Sequence, residues 1–129
     1  MNFTDFPLRP EVLDGVAAAG YERPLPVQQK VIPAALEGRD IIGSSQTGSG
    51  KTAAFLIPIM DGLLEMKRAS KFRPRALVLS PTRELARQVH AHFESLAQFT
   101  RLRSVVIHGG AELGPQERAL QEGVELVVA

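Results

Sequence analysis

Apolar and polar positions change their spacing several times along this chain, and each change marks a predicted element. Pro10 suits the first turn of a helix over 10–19, where Leu13, Val16 and Ala17 form one apolar stripe before Gly20 stops it. Pro24 and Pro26 set an extended entry into a second helix over 27–36, closed by Gly38, and Pro33 inside it is expected to kink or shorten it. Asp40-Ile41-Ile42-Gly43 reads as a short strand leading into a glycine-rich loop and a helix over 50–65, which Pro58 should bend. Residues 75–80 are an apolar run of the kind buried on both faces of a parallel sheet. A helix over 83–99 follows, with Leu85, Val89, Phe93 and Leu96 on one side. The pattern then predicts a strand over 104–108, a helix over 114–122 and a last strand over 124–129.

Strands alternating with helices predict an α/β fold with a parallel, doubly wound sheet and right-handed crossovers. At 129 residues and 44% hydrophobic content, one domain can build a core. A net charge of +1 gives no global field toward nucleic acid or membrane, which leaves only local patches to act. The absence of cysteine removes disulfides and thiolate chemistry. Met1-Asn2-Phe3-Thr4-Asp5 has neither the basic start nor the apolar run of a signal peptide. The longest apolar run, around Pro58, is too short for a bilayer. The expectation is a cytoplasmic protein without a membrane partner. The basic stretch from Lys67 to Arg75 reads as a solvated connector.

The strongest chemical signal is Ser45-Gln46-Thr47-Gly48-Ser49-Gly50-Lys51-Thr52, between a predicted strand and a predicted helix. Glycines let backbone N–H groups close around a triphosphate, and the helix aims its unpaired N–H groups at the anion. Lys51 is suited to the β- and γ-phosphates and the Thr52 hydroxyl to Mg²⁺. Ser45 stands where the general motif has glycine. A second constellation runs from Gly20 through Gln28, preceded by Phe3. The Gln28 amide can pair with adenine N6 and N7, and Phe3 can stack on the base; equally, the segment can be a plain helix–turn–helix join. Pro81-Thr82-Arg83-Glu84-Leu85-Ala86 opens a helix at a strand end, which suits a nucleic-acid phosphate or simply an N-capping turn. Gly109-Gly110 allows close backbone approach to a ligand, or is only a turn. His90, His92 and His108 do not make a metal set, since the first two point different ways on one helix.

Taken in this order, Phe3, Gly20 to Gln28, the phosphate loop, Pro81 to Ala86 and Gly109-Gly110 resemble the DEAD-box ATP-dependent RNA helicases. The resemblance covers essentially the whole chain. It implies a RecA-like P-loop domain in which residues 1–38 form a helical segment carrying the adenine-reading motif and 39–129 form part of the first RecA-like domain. It also implies ATP and Mg²⁺ as cofactors and RNA as a partner. Phe3 and Gln28 would meet the base, Ser45 through Thr52 the phosphates, and Pro81, Thr82, Arg83, Gly109 and Gly110 the RNA backbone. Leu25 departs from the small hydroxyl residue usual between the two prolines. The family's Asp-Glu-Ala-Asp box, its Ser-Ala-Thr motif and its second RecA-like domain are absent from these residues, so no catalytic residue is assigned. The expectation is therefore a helicase fragment, active as an ATPase only within a longer parent and inactive as residues 1–129 alone. The alternative is a truncated, non-hydrolysing nucleotide- or RNA-binding module.

Overall fold

Three short parallel strands carry the fold, and the one latest in sequence lies between the other two. The computed structural model describes residues 1–46, 48, 50–66 and 73–129. After a 3₁₀ turn at Phe3–Asp5, the order is α1 (Pro10–Ala18), α2 (Pro26–Leu36), α3 (Lys51–Glu65), β1 (Ala76–Val78), α4 (Arg83–Leu96), β2 (Ser104–Val106), α5 (Leu113–Glu122) and β3 (Leu126–Val128). The sheet order is β1-β3-β2, with Val78 and Val106 both in register with Val128. Hydrogen bonds extend the ladder past the strand ends, from Ile107 N–H to Val128 O and from Ala129 N–H to Val78 O. This is the parallel α/β class that alternation predicts.

One sheet face carries the buried Leu126 and Val128, which join a core built by α1, α3 and α4. The amphipathic stripe of α4 supplies Ala86, Val89, Phe93 and Leu96, all buried. From α3 come Leu56, Ile57 and Met60, and Ile32 of α2 joins the same cluster. The arm before α1 enters it too, through Phe3, Phe6 and Leu8. Asp61 of α3 accepts the Arg9 N–H at 2.8 Å and so holds the entry to α1. Helices α1 and α4 cross closely because Gly15 has no side chain: a Cβ there would lie 1.9 Å from the Leu96 carbonyl oxygen. On the opposite sheet face, Leu77, Val127 and Val105 share a register row, and Leu77 is 61% exposed.

The sequence pattern and the structure part in several places. Residues 40–43 form no strand. A strand needs a hydrogen-bonded neighbour about 4.8 Å away, and residues 40–43 pair with none of β1, β2 and β3. Ile42 is fully exposed there. Helix α4 stops at Leu96 rather than reaching 99, because the chain turns: Thr100 donates from both its N–H and its hydroxyl to Ala97 O. Neither proline shortens its helix; α2 runs past Pro33 to Leu36 and α3 past Pro58 to Glu65. The part of the expected basic connector at 67–72 lies outside the described residues.

Candidate functional site

The first turn of α2 and the glycine loop meet through one side chain. Gln28 is fully buried. Its Oε1 accepts the Leu25 N–H at 2.9 Å, satisfying a donor at the helix start. Its Nε2 donates to the Gly50 carbonyl at 3.2 Å, which ties α2 to the loop. An amide oxygen has two lone pairs and an NH₂ two donors, so Gln28 keeps one of each in reserve.

The loop conformation depends on glycine at two places. Gly48 and Gly50 have φ of +79° and +88°, in the left-handed region. At Gly50 space also forbids a side chain, since a Cβ would lie 2.6 Å from Gln28 Nε2 and 2.8 Å from Leu25 Cδ1. Gly50 leads directly into α3, whose first residues have no intrahelical partners for their N–H groups. Lys51 Nζ donates to the Ser45 carbonyl at 2.6 Å, so the ammonium folds back over its own loop. Gln46 is exposed, and Thr52 is half-buried at the edge of a cleft. Thr47 and Ser49 lie outside the described residues.

That cleft has a volume of about 1070 Å³ and takes Tyr21, Leu25, Gly48, Lys51 and Thr52 into one wall. Residues from the end of β1 and the start of α4 form the other, among them Leu79, Ser80 and Leu85. Phe3 sits behind this wall, in the core: it is 5% exposed, and its ring meets Phe6 edge-on at 6.1 Å and Tyr21 at 6.4 Å. Phe3 does not line the cleft; Tyr21 and Phe55 are the Phe and Tyr residues among its lining. An aromatic between Gly20 and Pro24 was the available signal for Tyr21. Leu25, noted in the sequence only as a departure, makes an apolar contact with the loop at Gly50.

Pro81, Thr82 and Arg83 follow Ser80 directly, so a second surface begins where the cleft ends. All three are exposed. The Thr82 hydroxyl accepts the Leu85 N–H at 3.1 Å as the N-cap of α4. Arg83 extends to the turn after β2, where a Cβ on Gly110 would lie 2.9 Å from its Nη1 and 3.0 Å from Nη2. Gly110 also has φ of +83°, so its conformation calls for glycine. Pro81 to Arg83 and Gly109-Gly110 thus meet on one exposed surface, at the Arg83 guanidinium.

His90 does structural work. His90 Nδ1 lies 2.6 Å from Ser104 Oγ and Nε2 lies 2.8 Å from Glu94, which links α4 to β2. Among the described residues, no group of three His, Cys, Asp or Glu side chains is placed to hold a metal. A cradle of left-handed glycines, a lysine and a helix start fits an anionic phosphate group.

A family model for the DEAD/DEAH box helicases matches residues 25–129. The chain is 46% identical over 128 residues to the ATP-dependent RNA helicase SrmB of Haemophilus influenzae, covering 99% of this chain and 29% of that protein. It is 45% identical over 128 residues to the ATP-dependent rRNA helicase RRP3 of Debaryomyces hansenii, covering 99% of this chain and 26% of that protein. Among solved structures, the RNA-helicase Prp28 of Chaetomium thermophilum bound to ADP matches with a TM-score of 0.90 and 41% identity, over 99% of this chain and 31% of that one. A DEAD box protein from Methanococcus jannaschii matches with a TM-score of 0.88 and 37% identity, over 99% of this chain and 34% of that one. The chain spans 29% and 26% of the length of these two curated relatives.

Proposed function

The chain belongs to the DEAD/DEAH box helicase family and has its parallel α/β fold, and from that premise we propose that it supplies the ATP-binding side and part of the RNA-binding surface of an ATP-dependent RNA helicase. The observation that carries the reading is the bond from Gln28 to Gly50, which joins the base-reading segment to the phosphate loop. Both ends of a nucleotide then answer to one rigid junction.

In this reading the triphosphate lies on the loop of residues 45–52, against the start of α3. Lys51 gives up the Ser45 carbonyl for the phosphates, exchanging a neutral acceptor for a charged one. Bound ATP supplies the hydrolysable phosphoryl group, and Thr52 contributes a hydroxyl to its Mg²⁺. The adenine enters beside Tyr21, and Gln28, fully buried and outside the cleft lining, must turn outward to offer it the donor and acceptor left unused. Phe3 supports that aromatic from behind. RNA lies along Thr82, Arg83 and the Gly109-Gly110 turn by its phosphates, a mode of contact that carries no base sequence. The chemical step itself belongs to groups elsewhere in the parent enzyme.

The test is ATP turnover by the full-length protein with and without RNA. Stimulation by RNA of unrelated sequences is expected. A turnover indifferent to RNA would overturn the helicase reading, and loss of preference for ATP over GTP in Gln28→Ala would support the adenine role.

A further inference from the structure

The Gly109-Gly110 turn is held at both ends by the hydrogen bonds of a single buried side chain. Gln116, on the first turns of α5, is 8% exposed although most of its helix faces solvent. Its Oε1 accepts the His108 N–H at 3.3 Å, and its Nε2 donates to the His108 carbonyl at 3.3 Å. The same Nε2 donates to the Glu112 carbonyl at 3.2 Å. The amide therefore pairs with His108 as a neighbouring strand would, just past Ile107, where the last bond to β3 is made. Glu112 is the N-cap of α5, so His108 and Glu112 bracket the segment that contains Gly109 and Gly110.

We propose that Gln116 is a positioning residue for the phosphate-contacting surface, fixing the His108–Glu112 turn so that Gly110 rests against the Arg83 guanidinium. The inference rests on the RNA-binding role given above to Arg83 and the glycine turn. A glycine pair has no side chains of its own to hold a shape, and Gly110 sits in the left-handed region, where an unrestrained chain has many alternatives. Three bonds from one buried amide remove that freedom. Without them, the Gly109 and Gly110 backbone and the Arg83 guanidinium no longer keep one spacing, and a phosphate must order them on binding.

The test uses full-length protein, with the RNA concentration for half-maximal ATPase and the Kd for a fluorescent ATP analogue measured side by side. Gln116→Leu keeps much of the volume and removes all three bonds. Gln116→Glu keeps an acceptor for the His108 N–H and loses both donated bonds, and it decides the matter if Gln116→Leu gives no folded protein. The expected result is a rise of roughly tenfold in the RNA requirement, the ratio equivalent to about 1.4 kcal/mol, with the nucleotide Kd unchanged. Arg83→Ala serves as the reference. If it weakens RNA binding while both Gln116 variants leave the RNA requirement unmoved, Gln116 only supports the fold and the inference falls alone. If Arg83→Ala also leaves RNA binding intact, the RNA reading of this surface falls and takes the inference with it.

Discussion

At the cleft, the contacts that matter are between buried or half-buried groups: Gln28 is sealed from water, and Gly50 is packed against Leu25 and Gln28. At the surface formed by Arg83 and Gly110, for which a phosphate of RNA is proposed, the groups are exposed to solvent. The cleft is thus specified by side chains that touch one another across sequence. The outer surface is specified by backbone that helix starts and a turn present to solvent. A nucleotide has a defined base and a fixed number of phosphates, so a preformed pocket can exploit both. A nucleic-acid backbone repeats, and contact with it gains from exposure more than from enclosure.

Both regions rest on one core, and the largest predicted effect removes them together. Gly15→Val should lower unfolding stability by about 3 kcal/mol or more, because α1 must move off the Leu96 carbonyl. Urea titration of the full-length protein checks this; an unchanged midpoint would show that the crossing yields without cost. Lys51→Ala separates the regions: nucleotide affinity should fall on the order of 100-fold, as when one partner of a desolvated charge pair is removed, with RNA binding retained without nucleotide. Parallel nucleotide and RNA titrations decide it. Gln28→Ala tests the junction by leaving the Leu25 N–H and the Gly50 carbonyl unpaired, a loss of about 2 kcal/mol read as weaker nucleotide binding and poorer choice of ATP over GTP. Equal loss of RNA binding would mean that cleft and surface are not separable. Arg83→Ala should weaken RNA binding of every sequence alike and lower the slope of log affinity against log salt by about 0.7, one phosphate contact on a single strand. An unaltered slope would place the phosphate elsewhere.

Much of this division was legible in the chain. The helices follow from apolar spacing, and of the expected α4 stripe Val89, Phe93 and Leu96 are buried while Leu85 is exposed and Ala86 takes the buried place at that end. The proposed phosphate loop stands out in the chain because its glycines, lysine and threonine are contiguous. The partnership of Arg83 with Gly110 was not legible, because it depends on how two loops at neighbouring strand ends converge. Gln116 gave no signal either: a glutamine in a polar helix reads as surface until the burial of that one position is seen. Residues 40–43 misled for a related reason, since an Ile-Ile pair has strand character but strand formation is decided by a partner. Asp61 was a missed opportunity, as a lone acid in the apolar stretch of α3 marks a buried hydrogen bond.

The central place of β3 has a consequence for the order in which the molecule can be made. Neither β1 nor β2 bonds to the other; each waits for β3, which follows both in sequence. On a ribosome adding about 5–20 residues per second, the helices α1 to α4 can gather first through their near-sequence contacts. The sheet cannot close until residues 124–128 clear the exit tunnel. Until then the edges of β1 and β2 that will receive β3 are open to any passing strand, so the pace of translation past β3 sets how long those two edges are exposed to mispairing.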